Sequence, residues 1–418
     1  MPKVVASAAE AVSGISSGDD LWIHSMAATP RLLVDALAEH ARSLRDVTVL
    51  QLHLEGAEAL VDPELFGKLR NRIFFASASN RQLINEGRAD YVPMFLSEIP
   101  KLFRSGRQPI DIAMIQVSPP DKHGNCSLGI SVEATRAACE AATRIIAHIN
   151  PRMPRTHGDS FIPYNDLDVV YEQPVDLISY PSAPISDINK KIGAQVASLI
   201  SDGDCLQMGI GGIPDAVLSC LTQHRNLGVH TEMFSDGVPP LVESGVINNS
   251  KKNIHQGALV TGFVLGSQAL YDFVDDNPNV RFLDIEYVNN IATIRKNQSM
   301  VSINSALQID LTGQVCADSL GDKIYSGVGG QLDFVLGAQL STHGRSIIAM
   351  PSTALEGTVS RIVKHLTAGS GVVTTRAHVD YIVTEYGVAS MRGASLIERK
   401  RQLIEISAPE FREQLTRS

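Results

Sequence analysis

Short apolar segments rich in β-branched residues alternate along this chain with segments of helical periodicity. Each apolar segment is about the length of one buried strand, and examples are VTVLQLHL, IDIAMIQVS, SIIAMPS and YIVTEYG. In the helical segment 187–200, four apolar residues fall on one predicted face: Ile188, Ile192, Val196 and Leu199. The alternation predicts an α/β protein with mostly parallel sheets.

The chain also contains an internal repeat. Residues 18–37 and 203–218 both read as Gly-Asp, a short apolar strand, a loop of small residues, a proline and an amphipathic helix. The repeat predicts two similar open α/β domains in tandem, at 1–184 and 185–418. They are expected to meet near 180–188, where proline and serine are frequent.

The two copies differ in the loop after the first strand. The second copy has GIGGIP at 209–214, whereas the first has HSMAATP at 24–30. Counting back from the glycine that closes the next strand, Glu232 of the second copy lies opposite Gln51 of the first. Because only the second copy combines a glycine loop with a carboxylate, the chemistry is predicted to belong mainly to the second domain.

Glu232 lies in HTEMFSDGV at 230–238, which is predicted to be a strand that runs into a turn at Asp236-Gly237. The carboxylate either faces solvent or works in a site. Glu385, at the end of YIVTEYG, is a rival working carboxylate. His123 is predicted to be an ordinary loop residue, since no GxSxG motif accompanies it.

Two glycine loops precede predicted helices, QMGIGGIPDAVL at 207–218 and YSGVGGQLDF at 325–334. Each is either a tight turn or a place where exposed N–H groups bind an anion or a developing oxyanion. Neither matches a dinucleotide fingerprint or a P-loop. Asn304, within the predicted strand MVSINSALQID, is either a satisfied core amide or an anchor for a catalytic side chain.

Composition excludes several classes of function. Charged residues make up 19% of the 418 residues, the net charge is −9, and no basic patch with aromatics occurs, so no nucleic-acid partner is expected. No apolar run is long enough to cross a bilayer, and the first twenty residues lack the features of a signal peptide. The five cysteines show no CxxC pair and the histidines no metal spacing. A cytoplasmic enzyme without a metal is predicted.

Together the motifs resemble the family I coenzyme A transferases, in the branch of acetate, butyryl and 4-hydroxybutyrate CoA-transferases and acetyl-CoA hydrolases. The segments that carry the resemblance follow the order of that family: SPPDKHGNCSLGIS, GIGGIPDAVL, HTEMFSDGV, MVSINSALQIDLTGQV, SGVGGQLDF and VTEYGVASMRGASL. The chain looks most similar to 4-hydroxybutyrate CoA-transferases. The resemblance implies the two-domain CoA-transferase fold, whose domains are NagB/RpiA-like.

The resemblance implies that Glu232 is the nucleophile of a ping-pong transfer through a glutamyl-CoA thioester, and that Asn304 anchors it. It also implies backbone oxyanion donors at 209–212 and 327–330. The residues expected to contact CoA are Gln207, Met208, Gly209, Ile210, Gly211, Gly212, Leu307, Gly327, Gly329 and Gly330.

The implied substrates are a short-chain acyl-CoA and a carboxylate such as acetate, 4-hydroxybutyrate or butyrate. CoA is then a cosubstrate, no prosthetic group is expected, and a homo-oligomer is expected. Two alternatives stay open: an acyl-CoA hydrolase that uses the same glutamate with water as acceptor, and a non-catalytic regulator that binds CoA or a sugar phosphate.

Overall fold

The computed structural model describes residues 1–181 and 183–417. The chain forms two compact units, Met1–Tyr180 with Thr261–Tyr287, and Pro181–Val260 with Val288–Ser418. The second stretch of the first unit comes from sequence that was assigned to the second predicted domain. The boundary at 184/185 stays a prediction, and residue 182 of the expected junction lies outside the described residues.

The helices are short and are distributed along the whole chain. They are α1 Ala8–Val12, α2 Arg31–Ala41, α3 Arg81–Asn85, α4 Ile99–Arg104, α5 Thr135–Ala141, α6 Asp187–Ala197, α7 Gly212–Cys220, α8 Val238–Glu243, α9 Gln268–Val274, α10 Ile285–Val288, α11 Ile291–Ile294, α12 Gln331–Gln339, α13 Leu396–Glu405 and α14 Pro409–Thr416. None of the helices in the described part of the chain has both the length and the apolar character that crossing a bilayer requires.

The first unit contains an eight-stranded parallel sheet in the order β1-β8-β7-β6-β2-β3-β4-β5. Its strands are β1 Lys3–Val5, β2 Asp20–Ile23, β3 Val47–Gln51, β4 Leu69–Ile73, β5 Asp90–Tyr91, β6 Ile112–Val117, β7 Arg144–Ile149 and β8 Val169–Glu172. Every residue of β6 is buried, which is typical of a central strand in a parallel sheet covered on both faces.

The second unit contains a six-stranded sheet in the order β10-β9-β11-β12-β13-β14, parallel except for the last pair. Its strands are β9 Cys205–Gln207, β10 Gly228–Val229, β11 Met300–Asn304, β12 Arg345–Ala349, β13 Tyr381–Thr384 and β14 Gly387–Ser390. The predicted α/β class with mostly parallel sheets is confirmed.

Two local predictions were wrong in part. The segment 230–238 is not one strand, because the chain bends at Glu232 between β10 and a second short strand, Met233–Phe234. In α6, Ile192 and Val196 are buried as predicted, but Ile188 is 44% exposed. Ile188 lies in the first turn of α6, and Leu199 lies beyond the end of the helix at Ala197, where it is half-buried.

The repeat in the sequence corresponds to a repeat in the structure. Residues 18–37 and 203–218 each form a parallel strand, a loop and a helix, namely β2 with α2 and β9 with α7. The two loops differ in exposure, since residues 24–30 are all buried whereas 209–214 are exposed or half-buried. Only the second unit therefore presents this loop to a ligand.

Candidate active site

The strand order of the second sheet creates a place for a ligand. After β9 the chain adds β10 on one side and β11 on the other, so the order reverses between β9 and β11. In open α/β sheets, ligands bind at the carboxyl ends of the strands at such a point. Gln207 ends β9, Asn304 ends β11, and the loop 209–212 follows β9.

The residue before Glu232 ties its bend to the first glycine loop. The buried hydroxyl of Thr231 donates toward the carbonyl of Met208, with Oγ1 2.9 Å from the oxygen, and accepts from the Met208 N–H at 3.3 Å. The same Oγ1 lies 2.9 Å from the carbonyl oxygen of Met233. Thr231 therefore fixes both the start of the loop and the bend that carries the carboxylate.

The carboxylate of Glu232 is half-buried and receives a hydrogen bond from an amide. Asn289 Nδ2 donates to Glu232 Oε2 at 3.0 Å and lies 3.5 Å from Asp333 Oδ2. Burial raises the pKa of Glu232, and the hydrogen bond from Asn289 opposes that shift. The raised pKa makes this carboxylate more basic than an exposed glutamate.

The second glycine loop approaches Glu232 closely. A Cβ atom placed on Gly330 would lie 2.1 Å from Glu232 Oε2 and 2.1 Å from Asn289 Nδ2. Only glycine can occupy this position without moving the carboxylate. Gly330 is the N-cap of α12, and Gly329 before it has a φ of 60°, so this loop needs glycine at two successive positions.

The first glycine loop is open. Gly211 has a φ of 109° and caps α7, and a Cβ on Gly209 would have nothing within 4 Å. The side chain of Ile210 is 39% exposed. A Cβ on Gly212 would instead lie 2.3 Å from Asn189 Nδ2 of α6. Residues 209–211 therefore present backbone that a ligand can approach, whereas Gly212 allows α6 and α7 to pack.

Asn304 forms a reciprocal amide pair with Gln207. Asn304 Nδ2 donates to Gln207 Oε1 at 3.1 Å, and Gln207 Nε2 donates to Asn304 Oδ1 at 3.3 Å. This pair joins the ends of β9 and β11. The amide seen donating to Glu232 belongs to Asn289, which the sequence reasoning missed. The only sequence signal for Asn289 is an Asn-Asn pair that interrupts the apolar run YVNNI.

The other predicted contacts follow β11 or precede α12. Leu307 is half-buried, and its N–H donates to the Cys316 carbonyl at 2.8 Å. Gly327 is buried in the loop that leads to Gly330. The structure thus places Gly330 against Glu232 and links Met208 through Thr231 to the bend that carries Glu232. The contacts with CoA stay predictions.

Comparison with known proteins gives the family. Residues 1–179 match the model of the acetyl-CoA hydrolase/transferase N-terminal domain, and residues 266–418 match that of the C-terminal domain. A 4-hydroxybutyrate coenzyme A transferase from Clostridium kluyveri is 47% identical over 98% of this chain and 95% of that protein. The chain belongs to the acetyl-CoA hydrolase/transferase family. The predicted resemblance and the prediction of an enzyme of the CoA-transferase type are confirmed.

Two solved structures share the fold over nearly the full length of this chain. RipA from Yersinia pestis is 36% identical and superposes with a TM-score of 0.93, covering 99% of this chain and 96% of that one. A 4-hydroxybutyrate CoA-transferase from Porphyromonas gingivalis is 39% identical with a TM-score of 0.86 and the same coverage. The transferase fold predicted from the sequence is confirmed.

The surroundings of Glu385, His230 and His123 differ from those of Glu232. Glu385 accepts hydrogen bonds from Ser352 N–H at 2.9 Å and Ser352 Oγ at 2.7 Å. Burial lowers the pKa of His230 to about 3, and its Nε2 lies 2.8 Å from the Val288 carbonyl oxygen, so the imidazole is neutral. His123 is exposed in a turn. Across the described residues, no cluster of His, Cys, Asp or Glu is suited to hold a metal.

Proposed function

We propose that this protein transfers CoA between a short-chain acyl-CoA and a carboxylic acid through a thioester on Glu232. The observation that carries the proposal is the contact between Gly330 and the Glu232 carboxylate, with Asn289 as hydrogen-bond donor. A half-buried, basic carboxylate beside a glycine loop has the properties that a carboxylate nucleophile needs.

In the first half-reaction, a Glu232 oxygen attacks the carbonyl carbon of the acyl-CoA. A carbon–oxygen bond forms, the carbon–sulfur bond breaks, and CoA thiolate leaves with the electron pair. The thiolate then attacks the glutamyl carbonyl of the resulting anhydride, which releases the first acid as a carboxylate and leaves CoA on Glu232. A second carboxylate reverses these steps, so no net redox change or proton transfer is needed.

The chain supplies the requirements of each step. Asn289 orients the attacking oxygen, because its Nδ2 donates to Oε2. Each tetrahedral intermediate carries negative charge on oxygen, and backbone N–H groups of 209–212 and 327–330 are the proposed donors to it. Asn304 holds the end of β11 against Gln207 and is proposed to support the site from there rather than by binding Glu232.

The acids in the names of the relatives guide the choice of the proposed acid substrate. Besides 4-hydroxybutyrate, a Fasciola hepatica relative 46% identical over this whole chain and 88% of that protein is named for succinyl-CoA, acetate and propanoyl-CoA. Short-chain acids of this kind, with acetate as the common acceptor, are the proposed substrates. Acetyl-CoA hydrolases are more distant, at 26% identity, so hydrolysis is the alternative outcome. The homo-oligomer and cytoplasmic location stay predictions.

Trapping the covalent intermediate tests the mechanism. The protein is incubated with acetyl-CoA and no acceptor acid, treated with borohydride and digested for mass spectrometry. Reduction of a thioester on Glu232 should replace one oxygen atom of that side chain by two hydrogen atoms and abolish activity. Glu385→Gln should still form the intermediate. A label on Glu385, or substantial activity in Glu232→Ala, would contradict the proposal, and acetate-independent release of CoA at full rate would favour the hydrolase.

A further inference from the structure

The guanidinium of Arg361 is only partly satisfied by the protein. Its Nη1 donates to the Ala306 carbonyl at 3.2 Å, while its Nε is buried without a hydrogen-bond partner in the part of the chain that the structure describes. A guanidinium has five N–H donors arranged for planar anions such as carboxylates. Within the described residues, the Ala306 carbonyl is the only hydrogen-bond acceptor of this half-buried side chain, so its remaining Nη donors can bind an anion.

The backbone of Arg361 is held at the carboxyl edge of the second sheet. Its N–H donates to the Ser352 carbonyl at 2.8 Å, just after β12, and its carbonyl accepts from the Ile309 N–H at 2.9 Å, just after β11. Ala306 follows Asn304, the end of β11, by two residues. The hydrogen bond from Nη1 to Ala306 therefore places the guanidinium near the edge that carries the Asn304–Gln207 pair.

Two other groups lie close enough to the guanidinium to affect its pKa. Burial lowers the pKa of Arg361, while Glu385 and Tyr325 act against that shift. Glu385 forms no ion pair with Arg361 in the described residues, and both of its oxygens accept hydrogen bonds from Ser352. Tyr325, 46% exposed, belongs to the loop before Gly327. The Nη N–H groups that do not bind Ala306 are the donors proposed for a ligand.

We infer that Arg361 binds the carboxylate of the acid substrate before that carboxylate attacks the thioester on Glu232, an inference that rests on the proposed function. The alternative anions are the phosphates of CoA. They lie at the far end of a long pantetheine arm. Arg361 is instead hydrogen-bonded to Ala306, the residue before Leu307, and Leu307 is predicted to contact the thiol arm of CoA. The acid carboxylate is therefore the better match.

Arg361 then acts as a specificity residue for the acceptor. It removes water from the carboxylate and holds it near the glutamyl carbonyl, which lowers the entropic cost of the second half-reaction. An uncharged nucleophile would gain nothing from the guanidinium. A purely structural role of Arg361 would affect the reaction with charged and uncharged acceptors equally.

The test compares two nucleophiles on the preformed thioester. The unsubstituted protein, Arg361→Met and Arg361→Lys are loaded with acetyl-CoA, freed of acetate, and mixed with acetate or with hydroxylamine. Discharge of the thioester is followed as acetyl-CoA formed with acetate and as free CoA formed with hydroxylamine. In Arg361→Met the acetate concentration for half-maximal discharge should rise about tenfold or more, since a charge-assisted hydrogen bond is lost. Hydroxylamine discharge should change by less than about twofold, and Arg361→Lys should recover part of the acetate response.

Arg392→Met is the matched control, because it removes an exposed arginine of the same unit. It should behave like the unsubstituted protein. Three outcomes would each overturn the inference. The acetate response could be equal in Arg361→Met and the control, the discharge rate could fall equally with both nucleophiles, or only the KM for acetyl-CoA could rise.

Acetate binding to the resting protein, measured by saturation-transfer NMR, does not depend on the thioester. If no thioester forms in the unsubstituted protein, the proposed function fails. Weaker acetate binding in Arg361→Met than in Arg392→Met would then still support the role of Arg361, and equal binding would overturn it.

Discussion

The carboxylate of Glu232 shows a conflict between stability and reactivity. Burial raises its pKa, so the folded protein binds this proton more tightly than the unfolded chain does. Ionised Glu232 therefore destabilises the fold above its raised folded pKa, and the penalty disappears as the pH falls below the unfolded value. A side chain retained at such a cost has another role, which is the proposed covalent one.

We predict that Glu232→Gln is inactive and unfolds at a higher temperature than the unsubstituted protein at pH 7. The amide carries no charge, and its oxygen can still accept from Asn289. The gain in melting temperature should shrink as the pH is lowered through the folded pKa toward about 4, the ordinary value for glutamate. Thermal unfolding across this pH range measures it, and a loss of stability at pH 7 would contradict the prediction.

Gly330 gives the second prediction at this scale. In Gly330→Ala, the new Cβ collides with Glu232 Oε2 and Asn289 Nδ2, so the carboxylate must move away from its attacking position. Turnover should fall about 100-fold, because misplacement by about 1 Å has that effect. Gly245→Ala is the control: Gly245 also has a positive φ, of 78°, but open space for a Cβ, so it should lose about 1–2 kcal/mol of stability and keep its turnover.

Elements of the second unit bring the site together from distant sequence. β9 leads into the first glycine loop, the bend after β10 carries Glu232, and α12 begins at Gly330. Thr231 is the side chain that joins the first two of these, through both backbone groups of Met208. Thr231 therefore adds a side-chain connection to the backbone bond from His230 N–H to the Leu206 carbonyl.

Thr231→Val tests this connection between elements. The substitution keeps the shape but leaves the Met208 N–H without its acceptor, which should lower stability by about 1–3 kcal/mol. The KM for acyl-CoA should rise, because the loop 207–212 is no longer fixed relative to Glu232. Thr231→Ser retains the hydroxyl and should remain close to the unsubstituted protein. Steady-state kinetics and thermal unfolding measure these effects. The prediction is contradicted if Thr231→Ser and Thr231→Val behave alike.

At the scale of the whole molecule, ion pairs attach a distant stretch of sequence to the first unit. Arg104 of α4 forms ion pairs with Asp284 at 2.5 Å, Glu286 at 2.7 Å and Glu140 at 2.8 Å. The Asp284 side chain is only 10% exposed, and its burial raises its pKa, against which Arg104 acts. The arginine thus compensates a buried charge in the segment Thr261–Tyr287.

We predict that Arg104→Met destabilises the protein by about 3–5 kcal/mol at pH 7, because Asp284 is left buried and unpaired. The loss should be smaller near pH 4, where Asp284 can take up a proton. Adding Asp284→Asn should restore much of the stability, and a double-mutant cycle by denaturant unfolding measures the coupling. Additive effects of the two substitutions would show that the pair does not hold this segment.

The sequence by itself determined the α/β class, the repeated strand–loop–helix and the prediction that Glu232 is the working carboxylate. These depend on local periodicity and on motifs whose residues are neighbours in the chain. Only the tertiary structure decided that the chain bends at Glu232, that Asn289 donates to it, and that Gly330 lies against it. Those contacts join residues separated by 57 and more positions, and local patterns carry no record of which distant side chains meet. The membership of 261–287 in the first unit was hidden for the same reason, since it depends on packing and on ion pairs of Arg104 that form only after folding.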